Sequence, residues 1–284
     1  MSGNAGIDGG SNGASPPQPL ASTEPVVVFD DVSIGFDRKP VLENISFQVH
    51  PGEMRILLGP AGVGKSVLLK LVNGLLRPDS GRIFVFGREI TAMSEQELFE
   101  IRGAIGTVFQ EGALFDSLNV RDNVGYRLME EHLPDDEITV RAEEALCFVD
   151  LQGTIDKFPS ELSGGMRRRV AIARAIVTNP KLILYDSPTG GLDPITSTTI
   201  IELVMKQRDV SHTSSLVVTH RLQDAFVLAM HRFNRTTNQM DPLPAGQTDP
   251  NTSFLMLHQG HLVFDGTTKE LVHSSDPFIH GYIS

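Results

Sequence analysis

Eight residues constrain this chain more than any others. Gly59-Pro60-Ala61-Gly62-Val63-Gly64-Lys65-Ser66 fits the pattern G-x-x-x-x-G-K-[ST]; it follows the apolar run Ile56 to Leu58 and leads into a helical pattern from Ser66 to Asn73. A strand, a glycine-rich turn and a helix in that order call for an α/β unit. The glycines let backbone N–H groups turn inward on a phosphate at the helix N-terminus, where the helix dipole favours negative charge. Lys65 can neutralise the outer phosphate oxygens, and the Ser66 hydroxyl can ligate Mg2+. The loop together with Val67 is therefore the candidate site for a nucleoside triphosphate and its metal. Such a loop alone does not separate kinases, GTPases, helicases and transporters.

The rest of the chain agrees with an α/β reading. Short β-rich runs fill the first part (VVVFDDVSIGF, ENISFQVH, MRILLG, GRIFVFG), punctuated by Pro-Gly at 51 to 52 and Asp-Ser-Gly at 79 to 81. Helical periods follow. Ser94 with Glu97 predicts a capping box, and residues 136 to 149 place Ile138, Ala142, Ala145, Leu146 and Val149 on one face. Later, KLILYD and SSLVVTH are nearly continuous apolar runs with a helical stretch between them, the pattern of parallel strands covered on both faces. SFLMLHQGHLVFDG reads as two strands around a Gln-Gly turn, and Thr267 with Glu270 as the cap of a last short helix.

Two segments carry little to bury. Residues 1 to 24, rich in Gly, Ser, Pro and Asn, read as a disordered tail. Residues 234 to 252 hold three prolines and read as a loop insert on the surface. No run of eighteen apolar residues occurs, and the N-terminal residues lack the positive start and apolar stretch of a secretory signal, so a cytosolic chain that spans no membrane is expected. The net charge of −11 argues against a general nucleic-acid binder, and any phosphate specificity must be local. The single cysteine, Cys147, sits in a helical pattern and reads as a small core residue.

Leu162-Ser163-Gly164-Gly165-Met166, ahead of the helical RRRVAIARAIVTNP, resembles the LSGGQ signature of the ABC ATPase family. That resemblance, covering residues 25 to 284, implies a P-loop NTPase with a RecA-like core sheet, an antiparallel β subdomain and a helical subdomain inserted at about 111 to 170. It implies ATP and Mg2+ as cofactors. In that family the signature of one subunit caps the nucleotide on the loop of another, so Ser163, Gly164, Gly165 and Met166 would complete a partner's site in a homodimer. The other family motifs occur in order. Gln110 in TVFQ is similar to the Q-loop, and Asp186 closes a Walker B run as a metal ligand. Asp193 in GLDP is similar to the D-loop, His220 to the switch histidine, and Phe36 to the aromatic that stacks on adenine. Ser66, Gln110 and Asp186 are the implied metal ligands. GALFDSLNVRDNV at 112 to 124, GLDPIT at 191 to 196 and SGGM in place of SGGQ resemble the ATPase of Mla/Mce-type lipid transporters. The resemblance thus implies a transmembrane permease docked on the segment after Gln110, a peripheral position on the cytoplasmic face of the inner membrane, and an Mce-type lipid-binding partner.

One position departs from the family. Where ABC ATPases usually carry a glutamate after Walker B, this chain has Ser187. A hydroxyl is no general base at neutral pH, and positioned bases contribute about 10²- to 10⁴-fold. Three readings follow: a motor that hydrolyses ATP slowly, an ATP-gated clamp that closes on binding, or an ABC protein without a transport role. Arg167 to Arg169 read as a solvated helix face.

Overall fold

The computed structural model describes residues 24–284, so the tail expected over residues 1 to 24 lies, apart from Glu24, outside the described residues. In chain order the strands are β1 (Val27–Phe36), β2 (Lys39–Val49), β3 (Met54–Leu58), β4 (Ser80–Val85), β5 (Arg88–Glu89), β6 (Ile105–Val108), β7 (Leu182–Asp186), β8 (Ser214–Val218), β9 (His231–Asn234), β10 (Gln239–Pro242), β11 (Thr252–His258) and β12 (His261–Thr267). The helices are α1 (Lys65–Val72), α2 (Glu95–Gly103), α3 (Val120–Glu130), α4 (Asp135–Phe148), α5 (Gly164–Ile176), α6 (Pro194–Ser211), α7 (Leu222–Met230), α8 (Thr268–Val272) and α9 (Pro277–Ile283).

The central sheet runs β12-β11-β3-β8-β7-β6 and is parallel except for the edge strand β12. Residues of β3, β7 and β8 are buried almost throughout, because both faces of the sheet are covered. The pleat sends alternate residues to opposite cores. Ile56, Leu58, Ile183, Tyr185 and Val217 join α5, α6 and α7 on one side. Leu57, Leu184, Leu216 and Val218 join α1, α2 and the antiparallel sheet β2-β1-β4-β5 on the other.

Both capping boxes form: Ser94 and Thr267 accept from the amides of Glu97 and Glu270, whose carboxylates take the cap amides. The Gln-Gly turn between β11 and β12 places Gln259 and Gly260 at φ 49° and 83°, as a two-residue hairpin requires. Ile138, Ala142, Ala145 and Leu146 are buried on α4 and Val149 just past its end.

Two expectations fail. Residues 234 to 252 are not a plain loop, since β9 and β10 form a hairpin there in the register Asn234 with Gln239 through His231 with Pro242. Its return leg is tied down by Asp249, which is buried, faces Arg208 at 3.6 Å and accepts from Thr252 Oγ1 at 2.8 Å. Polar anchoring of Asp249 acts together with Phe233 and Met240, which pack on the core, to order the segment. Cys147 is exposed, because the apolar face of α4 runs through residues 138, 142, 145 and 146 and leaves position 147 turned outward. Its Sγ accepts from Gln152 Nε2 at 3.4 Å.

Candidate nucleotide site

Register places the candidate residues along one edge. In the parallel ladder Leu57 pairs with Val218, Asp186 with Val218 and Val108 with Tyr185. The segments that leave β3, β6, β7 and β8 therefore emerge together at the carboxyl ends of the strands, where open α/β sheets bind ligands. These segments carry the loop from Gly59, then Gln110, Asp186 with Ser187, and His220.

The loop between β3 and α1 has the backbone such a turn needs. Gly59, Gly62 and Gly64 lie at φ 141°, 77° and 105°, and a Cβ on Gly59 would stand 2.4 Å from the carbonyl oxygen of Leu257. No side chain other than hydrogen fits there. Among the described residues the amides of 62 to 66 find no acceptor in the protein, and Gly64 caps α1 without a side-chain bond. A row of free N–H groups at a helix N-terminus is a cradle for an anion. Lys65 is buried and its Nζ donates to the carbonyls of Gly59 at 2.6 Å and Pro60 at 2.7 Å. Burial holds its pKa below the ordinary lysine value, and the charge of Asp186 opposes that shift. The glycine geometry, free amides and enclosed cation fit a phosphate chain. Ser66 is exposed beside it. No cluster of three or more His, Cys, Asp or Glu able to hold a metal occurs among the described residues.

Phe36 ends β1 opposite Lys39 and is 44% exposed; the strand it leads into brings Val41 and Leu42 against Gly64. Gln110 is exposed, with Cγ and Nε2 lying 3.3 and 3.4 Å from where a Cβ on Gly190 would stand, so it abuts the turn after Ser187. Ser187 sits at φ 47° and is buried; its N–H donates to Val218 and its carbonyl accepts from Gly190. His220 is exposed just past β8.

Ser163, Gly164, Gly165 and Met166 are not brought to this loop. Ser163 caps α5, accepting from the Met166 amide at 3.2 Å, and a Cβ on Gly165 would meet Thr196 at 2.6 Å, so the signature packs on the start of α6. There Asp193 caps α6, taking the Thr196 amide at 3.0 Å and its hydroxyl at 2.6 Å, bonds that hold its pKa below the ordinary carboxylate value.

The solvated arginine face is corrected. Only Arg167 is exposed; Arg168 is buried, and its guanidinium donates to the carbonyls of Phe109 at 3.5 Å, Ser187 at 3.4 Å and Gly190 at 3.1 Å. Arg169 reaches the carbonyls of Val149 and Asp150. Arg168 thus ties α5 to the segments bearing Gln110 and Ser187. Nothing in a run of three arginines marks the middle one as the buried member. A second link went unread: Asp224, buried on α7, accepts from Thr189 Oγ1 and faces Arg221, whose Nη1 donates to Ser197 on α6 at 2.7 Å.

This sheet, with a phosphate loop at its carboxyl edge and a signature helix across it, defines an ATP-binding cassette. The ABC transporter family model matches residues 42–190, and the chain belongs to that family. It is 37% identical over 274 residues to the probable ribonucleotide transport ATP-binding protein mkl of Mycobacterium tuberculosis, covering 94% of this chain and 70% of that one. It is 39% identical over 202 residues to MlaF, the intermembrane phospholipid transport system ATP-binding protein of Escherichia coli, covering 71% and 75%. A dimeric ATP-binding cassette in a post-hydrolysis state with ADP and Pi superposes with a TM-score of 0.70 at 27% identity, covering 85% of this chain and 98% of that one. The chain is the ATP-binding subunit of an ABC transporter and an ATPase. No described helix is long and apolar enough to cross a membrane.

Proposed function

We propose that this subunit powers the movement of phospholipid or another hydrophobic molecule through a separate permease, working as a homodimer that closes on MgATP. The observation that carries the reading is the loop itself: inward amides at positive-φ glycines with Lys65 enclosed beneath them. Gly59 to Ser66 and Val67 hold the phosphates, and Lys65 neutralises the outer oxygens. Ser66, Asp186 and, through its amide oxygen, Gln110 hold Mg2+. Phe36 stacks on adenine. Ser163 to Met166 and Asp193 act on the nucleotide of the partner subunit, as suits their distance in sequence and packing from the loop of their own chain. His220 and Ser187 orient the attacking water. With a hydroxyl at 187, turnover is slow.

A groove of about 290 Å³ supports docking of the permease. Leu75 and Phe109 line it together with Arg102, Arg127 and Arg174, and Phe99 stands beside it under the Arg127 guanidinium at 3.8 Å. An apolar and cationic groove on a chain of net charge −11 suits a short helix with an acidic end. Through that contact the subunit sits on the cytoplasmic face of the inner membrane, in a pathway that includes an Mce-type lipid-binding protein. Phospholipid cargo is supported by the likeness to MlaF, whereas the name of the mycobacterial relative points to ribonucleotides. The complex with its permease, reconstituted in vesicles holding labelled phospholipid, should move the lipid only when MgATP is supplied. Uptake of labelled ribonucleotide instead would reverse the choice of cargo. Lipid movement on ATP binding without phosphate release would replace the motor with an ATP-gated clamp.

A further inference from the structure

The last helix, α9, reaches the phosphate loop. The hydroxyl of Tyr282 donates to the carbonyl of Gly59 at 3.0 Å and accepts from the Gly59 amide at 3.3 Å, across 223 positions of sequence. The placement is well braced. Asp276 caps α9, accepting from the amides of Phe278 at 2.8 Å and Ile279 at 3.1 Å, and Ile279 is buried. Phe278 stacks on His258 with ring centroids 3.7 Å apart and planes 10° from parallel. His258 follows Leu257, the residue whose carbonyl crowds Gly59. The helix is thereby fixed to the strand end that flanks the first glycine of the loop.

The carbonyl of Gly59 serves two donors, Tyr282 and the Nζ of Lys65. Gly59 is buried, so a carbonyl there that loses its partners carries a desolvation cost. A lysine that turns to phosphate oxygens must leave that carbonyl. We propose that Tyr282 is a positioning residue for the phosphate loop: its hydroxyl keeps the Gly59 carbonyl and amide satisfied when Lys65 transfers to the nucleotide, and so lowers the cost of binding ATP. The inference rests on the assignment of Lys65 to the phosphates. It makes α9 part of the nucleotide site although no motif marks it.

The two roles of the hydroxyl separate by experiment on the full chain. In Tyr282→Phe the ring keeps its packing, and Lys65 still serves Gly59 when no nucleotide is present. The nucleotide-free melting temperature should fall only by what the Gly59 amide loses with its acceptor, while MgATP binds about 5-fold more weakly by calorimetry, the size of one hydrogen bond, and the nucleotide-bound melt falls further. Equal MgATP affinity in the two proteins overturns the proposal. A nucleotide-free melt lowered as much as the nucleotide-bound one also overturns it, because the hydroxyl would then be only structural. Lys65→Ala separates this failure from failure of the underlying reading. If that variant binds MgATP like wild type, the assignment of Lys65 falls and the inference with it; if it loses binding while Tyr282→Phe does not, the inference alone falls.

Discussion

The guanidinium of Arg168 donates to the carbonyl of Gly190 at 3.1 Å, and with its contacts to Ser187 and Phe109 it joins the signature helix to the loops that carry Ser187 and Gln110. Burial lowers its pKa, with Glu111 opposing, yet an arginine stays charged. Replacing it with Met should destabilise the subunit by about 1 to 3 kcal/mol, the cost of leaving buried carbonyls without a donor, measured by urea unfolding. Arg168→Lys should not restore ATP turnover, because one ammonium cannot span carbonyls that a planar fork reaches together.

Ser187→Glu should raise phosphate release about 100-fold in the permease complex, the lower edge of what a positioned base supplies. The backbone at φ 47° is already occupied by a residue with a Cβ, so the substitution adds little further strain. An unchanged rate would show that chemistry at this position does not limit the cycle.

Lys65→Met should abolish MgATP binding and raise the nucleotide-free melting temperature near neutral pH. The folded lysine holds its proton less tightly than the ordinary value of 10.5, so burying the charge costs stability at neutral pH. That cost disappears as pH rises past the ordinary value, where the lysine is neutral both folded and unfolded. The gain in the Met variant should shrink over the same range in a series of melts. Tyr282 would go on serving the Gly59 carbonyl in that variant.

Asp249→Ala should cost about 1 to 3 kcal/mol by removing the carboxylate that faces Arg208 and accepts from Thr252, as read from urea midpoints. Arg208 keeps Asp209 at 2.7 Å, so the loss falls short of that for an uncompensated buried charge. Faster amide exchange in residues 231 to 242 should accompany it, since the β9–β10 hairpin is held by this anchor and by Glu202, which takes the Met240 amide.

Local chemistry was readable and distant chemistry was not. The capping boxes at Ser94 and Thr267, the Gln259-Gly260 turn and the buried face of α4 each depend on residues within a turn or two of one another, so spacing alone reveals them. Cys147 misled because one step along a helix turns a side chain by about 100°, and the apolar neighbours that suggested burial lay on the other side. The segment 234 to 252 misled because its order comes from a buried polar pair at Asp249 and from one apolar residue, Met240, paired with Phe233 just outside it, too little for hydrophobic patterning to register.

By itself the sequence determined the loop from Gly59 to Ser66, since positive-φ glycines, a lysine and a hydroxyl at that spacing satisfy a phosphate wherever a strand and a helix flank them. Only the tertiary structure decided what surrounds that loop. Parallel register set Gln110, Asp186 and His220 along the same edge. Arg168 bridges 22 positions to Gly190 and 59 to Phe109, and Tyr282 crosses 223 to Gly59. An arginine or tyrosine can meet any carbonyl that the packed helices present to it, so such partners become specific only once burial has removed water as the competing acceptor or donor.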